Sequence, residues 1–329
     1  MNKEAVMQFM RRREVSLALV LIVICVAIQS QNPNFLTANV IDFMLRNYAV
    51  TILMAVGMLS VLLVGGIDIS VGSTLAFSGM ATAILMRDGI ITNAISAYLF
   101  SIGVGLVCGI IVGIVVAKGK VLPIIATLGF MYVFRGLTFF ISGGRWVGMV
   151  DLLEDFRGFS QGTTFAISNL IWITLVVYAL LFVLLGWTKL GRQIYAVGSS
   201  PGSAEVRGVH IDRVKIFVYA INGAIAGLSG AMFVGYYASA MSNMAMAIEL
   251  DVIAACVIGG VSLRGGQGTV PGVLIGALIL VVINRSLSLV GIDPFWQACL
   301  KGSVIMAAVV VNILIQRGTI KRNLARRAI

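Results

Sequence analysis

The chain has 329 residues, of which 59% are hydrophobic and only 11% charged, with a mean hydropathy of +1.03 and a formal net charge of +11. A charged fraction so far below the roughly 25% of soluble domains excludes an ordinary water-soluble globule and places the chain in a bilayer. The excess of Lys and Arg flanks apolar runs rather than forming one basic face, so it reads as a topology signal and attraction to anionic headgroups, with no nucleic acid as partner.

Ten apolar runs follow in chain order, at 15–31, 43–64, 69–86, 91–117, 122–141, 167–187, 214–239, 248–263, 269–290 and 294–316. A hydrocarbon core of about 30 Å takes about 20 helical residues, and lipid-facing strands would need alternating polarity and a closed barrel. The expectation is an all-α, polytopic membrane protein of about ten transmembrane helices, forming one transmembrane domain over 1–329. Its weakest boundaries lie near 64–70 and 258–270, where glycines interrupt the pattern.

An even number of spans puts both termini on one side. Seventeen Lys and Arg fall on the side of the termini, in the clusters 3–13, 118–120, 189–215 and 317–327 and at Arg264, whereas Arg87, Arg145 and Arg157 fall on the other. This bias assigns both termini to the cytoplasm. The first run resembles a secretory signal in its basic start, but no small-residue cleavage pattern follows it. Cys25, Cys108, Cys256 and Cys299 sit inside runs without CxxC spacing and read as packing residues.

The first intramembrane polar cluster is GGIDISVGS at 65–73, containing Asp68, Ser70 and Ser73. Two readings stay open: a broken helix whose free backbone groups and Asp68 line a polar cavity, or a short turn in which Asp68 caps the following helix. Further polar candidates for a solute path are Asn47, Arg135, Asn222, Glu249 and Asp251, with Arg285 and Asn284 close to the end of a later run. Pairing with buried acids explains the arginines equally, and interhelical hydrogen bonding explains the asparagines. Glu249 and Asp251, two residues apart, project about 200° from each other on a helix and cannot share one cavity. Glycines recurring every four residues, Gly105/Gly109/Gly113, Gly223/Gly227 and Gly272/Gly276, predict close helix contacts.

Residues 188–215, TKLGRQIYAVGSSPGSAEVRGVHIDRVK, form a polar, glycine-rich insert between two long runs. Ser199 and Ser200 precede Pro201, an N-cap followed by a proline at the first helical position. A short helix should run from there through Ala204, Glu205 and Val206 to a left-handed stop at Gly208, about seven residues and about 10 Å long. A helix this short is marginal alone in water, and is sensible in the groove of a second protein.

Catalytic readings lack material. His210 is the only histidine, so neither a histidine-based metal site nor a Ser-His-Asp triad can be assembled, and no metal is assigned. No GxxxxGK[ST] occurs; the one Gly-Lys pair, Gly119 and Lys120, has Ile114 where the first glycine is needed. The chain is not expected to be an enzyme, and any ATP must be hydrolysed elsewhere.

Four motifs, AVGMLSVLLVGGIDISVGS at 55–73, ATLGFMYVFRGLTF at 126–139, GRQIYAVGSSPGSAEVRGVHIDRVK at 191–215 and ELDVIAACVIGGVSLRGGQGTVPGVLIGALI at 249–279, resemble the permease subunits of bacterial monosaccharide ABC importers of the ribose, galactose, arabinose and xylose type. The resemblance spans nearly the whole chain. It implies an inner-membrane permease that forms the sugar path with a second permease copy, identical or a paired homologue. It further implies a cytoplasmic ABC ATPase that binds ATP and Mg, with no cofactor on this chain, and a periplasmic sugar-binding protein. It identifies 188–215 as the ATPase-coupling loop, with Gly191, Arg192, Ala196, Gly198, Ala204, Gly208 and Arg213 carried over. Ser200, Pro201 and Glu205 complete the candidate set. Relatives carry asparagine before the short helix where this chain has Ser199 and Ser200, a change that keeps the capping chemistry. Ile69 replaces leucine in an otherwise nearly verbatim sugar-type motif. Alternatives are an importer of the same kind for a nucleoside, an autoinducer-type sugar or a branched-chain amino acid, an ion-coupled transporter using Asp68, Glu249 or Asp251, and a non-transporting membrane anchor.

Overall fold

The computed structural model describes residues 13–289 and isolated positions between 293 and 306. The run read at 294–316 and the basic clusters before 13 and after 316 therefore lie outside the described residues, isolated positions aside. The helices in chain order are α1 (Arg13–Gln31), α2 (Ala38–Leu63), α3 (Val71–Arg87), α4 (Ala94–Ala117), α5 (Pro123–Ser142), α6 (Glu154–Gln161), α7 (Asn169–Trp187), α8 (Lys189–Ser199), α9 (Pro201–Val206), α10 (Ile211–Tyr237), α11 (Ile248–Ile258) and α12 (Val270–Leu289). One two-stranded hairpin, β1 (Thr163–Thr164) with β2 (Ile167–Ser168), caps the end near α6.

Among the described residues, α1, α2, α4, α5, α7, α10 and α12 are long and apolar enough to cross a membrane. Two expected spans are shorter than their apolar runs. The run at 248–263 yields only the 11 residues of α11, about 16 Å of helix, and α3 has 17. The physical reason is glycine. After α2 the chain takes a Schellman stop, with Gly66 N–H donating to Val61 C=O at 3.0 Å, Gly65 N–H to Leu62 C=O at 2.9 Å, and Gly65 at φ 76°. After α11 the same stop recurs, with Val261 N–H on Cys256 C=O at 3.0 Å and Gly260 at φ 84°. The similar strings GGIDIS and GGVSLR thus both end helices, but the left-handed residue is the first glycine of one pair and the second of the other.

Packing centres on α2, whose residues from Ala49 to Leu63 are all buried and which touches α7, α10, α11 and α12. The most extensive contact is α4 with α10. It is built on the predicted glycine ridges: a Cβ on Gly223 would lie 2.7 Å from the Gly109 Cα, and one on Gly105 would strike the backbone of Gly223 and Gly227. Ser101 Oγ seals the joint by donating to Gly227 C=O at 2.6 Å. Gly272 and Gly276 serve α12 likewise, facing Gly259 and Ala255 at the end of α11. Without a hydrophobic force between helices in lipid, such close backbone approach supplies the dispersion that holds them together. Helix starts follow side-chain capping: Asn93 accepts from Ser96 N–H, Ser168 from Leu170 N–H and Thr188 from Gly191 N–H, and Pro123 opens α5.

Candidate coupling site and intramembrane polar residues

The insert at 188–215 contains two helices, not one. The expected short helix is α9, six residues from Pro201 to Val206, with Ser200 Oγ accepting from Ser203 N–H at 3.4 Å and Gly208 left-handed at φ 79°. Val209 N–H reaches Ala204 C=O at 3.0 Å and completes the Schellman stop. Ala204 is buried, whereas Pro201, Glu205, Gly208 and Arg213 are exposed and Val206 is 91% exposed.

Preceding it, α8 is an amphipathic helix inside the polar, glycine-rich insert. Its signal was present: Gly191, Ile194 and Val197 recur every three residues and are all buried, while Arg192 faces outward. Gly191 is wedged against the Leu184 and Leu185 backbone, and Ala196 C=O accepts from Ser200 N–H at 3.1 Å.

The C-terminal end of α8 meets both glycine turns. Gly65 and Gly266 flank the point of contact: Gly266 N–H donates to Leu63 C=O at 2.8 Å, and Gly198 lies so close that a Cβ there would overlap the Leu63 carbonyl and approach Gly266 N to 2.5 Å. A Cβ on Gly265 would come within 2.9 Å of Gly65 N and 3.1 Å of Gly198 Cα. Tyr195 Oη donates to Gly268 C=O at 2.8 Å. Burial pushes the Tyr195 phenol further above its ordinary range. Three segments, the end of α2, the end of α8 and the 264–268 loop, thus converge, with backbone directly on backbone where Gly198 and Gly266 meet Leu63 and with the Tyr195 side chain tying α8 to Gly268. Gly198 was expected to belong to the coupling insert; its partners Leu63, Gly65 and Gly265–Gly268 could not be read from spacing, because they lie more than 60 residues away in the chain.

Leading out of that junction, the chain climbs from Gly65 into the interior and reaches Asp68, which is only 3% exposed. Asp68 Oδ1 accepts from Ser70 N–H at 2.9 Å and Ser70 Oγ at 2.6 Å, and Oδ2 accepts from Asn222 Nδ2 at 2.9 Å. Asp68 closes a two-residue turn onto Ser70, the residue before α3, and ties that turn to α10 through Asn222, while no N–H of α3 itself bonds to its side chain. Asp68, Ser70 and Asn222 therefore come together. Arg135 stands apart on α5, its Nη1 donating to Ser242 C=O at 2.9 Å and Met244 C=O at 2.8 Å. Asn47 donates within its own helix to Phe43 C=O at 2.9 Å. Glu249 Oε2 would lie 2.6 Å from a Cβ on Gly72, and Glu249 is in electrostatic reach of both Arg135 and Asp251. Arg285 stacks over Phe43 at 5.0 Å. Cys25, Cys108, Cys256 and Cys299 are free thiols.

Apolar spans, two glycine turns that end helices at one junction, and an amphipathic helix, α8, packed on both turns make this a polytopic helical membrane protein. The chain belongs to the family described as branched-chain amino acid transport system / permease component, whose pattern matches residues 40–309. It is 38% identical over 294 residues to the ribose import permease of Escherichia coli K12, covering 89% of this chain and 91% of that protein. Its identity to the ribose import permease of Bacillus subtilis is 38% over 296 residues, covering 90% and 91%. The galactose/methyl galactoside import permease of E. coli K12 is 31% identical over 331 residues, with 95% and 97% covered. No solved structure matches significantly. The chain is a permease component of an ABC importer, a multi-pass protein of the bacterial inner membrane.

Proposed function

We propose that this chain forms the path by which a monosaccharide crosses the membrane, driven by a cytoplasmic ABC ATPase that docks on α8 and α9. The sugar reading rests on the relatives named as ribose and galactose import permeases. In this reading a second permease copy, identical or a homologue, completes the path. A periplasmic binding protein delivers the sugar, ATP and Mg bind only to the ATPase, and about ten spans leave both termini in the cytoplasm.

The observation that carries the coupling role is the backbone contact of Gly198 with Leu63 and Gly266. Closure of the ATPase on ATP would displace α9, whose exposed Val206 and Pro201 offer an apolar tip. Because α8 meets the end of α2 backbone to backbone at Gly198 and is tied to the 264–268 loop there and through Tyr195, its displacement passes to the turns that start α3 and follow α11. A two-state repacking there would change the side to which the path opens. The polar residues of this chain supply a path and no bond-breaking chemistry.

The test is uptake of labelled ribose, galactose, xylose, arabinose and leucine into proteoliposomes holding the permease, its ATPase and its binding protein. ATP-dependent uptake of at least one sugar is expected. Uptake of leucine alone would overturn the sugar assignment, and uptake driven by an ion gradient without the ATPase would overturn the ATP-driven one.

A further inference from the structure

Between α10 and α11 the chain follows an irregular path, 238–247, whose bonding is lopsided. On the α5 side it is held by polar contacts. Val147, just beyond α5, and Ala240 exchange backbone hydrogen bonds of 3.0 and 2.9 Å. Ser142 Oγ and Ser242 Oγ lie 2.8 Å apart, and Arg135, about two helical turns before Ser142, donates to the carbonyls of Ser242 and Met244 at 2.9 and 2.8 Å. On the α3 side it is held by packing. The Ala245 carbonyl lies 2.9 Å from where a Gly72 Cβ would be, and the Met244 methyl lies 2.9 Å from where a Gly79 Cβ would be.

Its backbone is strained as well. Ala238, Ala245 and Ala247 are left-handed, at φ 50°, 54° and 64°. Alanine has no side-chain group to offset that conformation, which costs roughly 1–2 kcal/mol per residue. Strain of this kind persists only where surrounding contacts impose it, and here the imposing contacts on one side are a few hydrogen bonds that water or a rotation of α5 can replace.

We infer that 238–247 is a latch at the extracytoplasmic end of the path, held against α5 by Arg135 and Ser142, and that each transport cycle breaks these bonds while the contact with α3 persists. This rests on the transport reading above. Arg135 is then a positioning residue. Both of its carbonyl bonds are made by Nη1 and go to 238–247, so it acts through the latch.

The direct experiment is a disulfide across the latch, Ser142→Cys with Ser242→Cys, in the reconstituted complex of permease, ATPase and binding protein. Reduced protein should take up sugar; oxidation should abolish uptake, and dithiothreitol should restore it, with the single-cysteine variants indifferent to oxidant. Failure of the wild-type complex to take up any sugar would count against the transport reading instead, and so is distinguishable. A linked peptide identified by mass spectrometry together with undiminished uptake would overturn the latch, and so would absence of the link under oxidant, since it would contradict the contact itself. As a second measurement, Arg135→Ala should raise ATP-independent sugar leak and Arg135→Lys, which still donates to carbonyls, should suppress it. A leak in Arg135→Ala no greater than wild type would also overturn it.

Discussion

Gly208 shows how a single backbone angle decides whether a docking element exists. Its φ of 79° lets the chain leave α9 by a Schellman stop, and nothing lies within 4 Å of where its Cβ would be. Gly208→Val therefore meets no steric wall; it meets only the left-handed penalty of roughly 1–2 kcal/mol. If α9 docks the ATPase, this should weaken permease–ATPase association by about 5- to 30-fold in a pull-down from detergent while membrane insertion stays normal; unchanged association would refute the role of α9. Asp68 belongs to the opposite class, a buried group satisfied on both oxygens. Asp68→Ala strands Asn222 and Ser70 without an acceptor, at about 1–3 kcal/mol for each buried group. The melting temperature of the solubilised permease should fall measurably; an unchanged value would show that the bonds to Ser70 and Asn222 contribute nothing to stability.

Elements differed in how far they could be read. Periodic glycines foretold the α4–α10 and α11–α12 contacts, because a repeat of four on one helix needs no knowledge of its partner. Ser200, Pro201 and Gly208 foretold α9, since caps and stops act locally. α8 escaped notice because its buried stripe is only Gly191, Ile194 and Val197, and the glycines and serines around it read as loop. The brevity of α11 escaped for another reason: Ile248 to Leu263 is continuously apolar apart from Glu249, Asp251 and Ser262, and composition cannot show that Gly260 turns left-handed or that 238–247 is held down by Arg135. Hydropathy counts what lipid tolerates, whereas half-length helices are set by tertiary contacts that fix where the backbone bends.

At the scale of the molecule, α2 is the shaft against which everything else is placed. It is buried through the half nearest the junction, touches four neighbouring spans, and ends at Leu63, where α8 and the 264–268 loop converge. The sequence showed the polar insert, the glycine strings at 65 and 259, and Asn222 as separate features; the fold joins the insert to both glycine turns through Gly198 and places Asp68 and Asn222 one step further in. Where Gly198 and Gly266 meet Leu63 the contact is backbone on backbone, so no rotamer change there can absorb a displacement, which suits the transmission proposed above.

Gly198→Ala tests that transmission. A Cβ at 198 would overlap the Leu63 carbonyl and crowd Gly266, so the end of α8 must move away from both turns, while the residues that cap, open and stop α9 (Ser200, Pro201 and Gly208) are all retained. In proteoliposomes carrying the complete importer, the account predicts that ATPase binding and ATP hydrolysis persist while sugar taken up per ATP hydrolysed falls sharply. An unchanged ratio of uptake to hydrolysis in Gly198→Ala would contradict it.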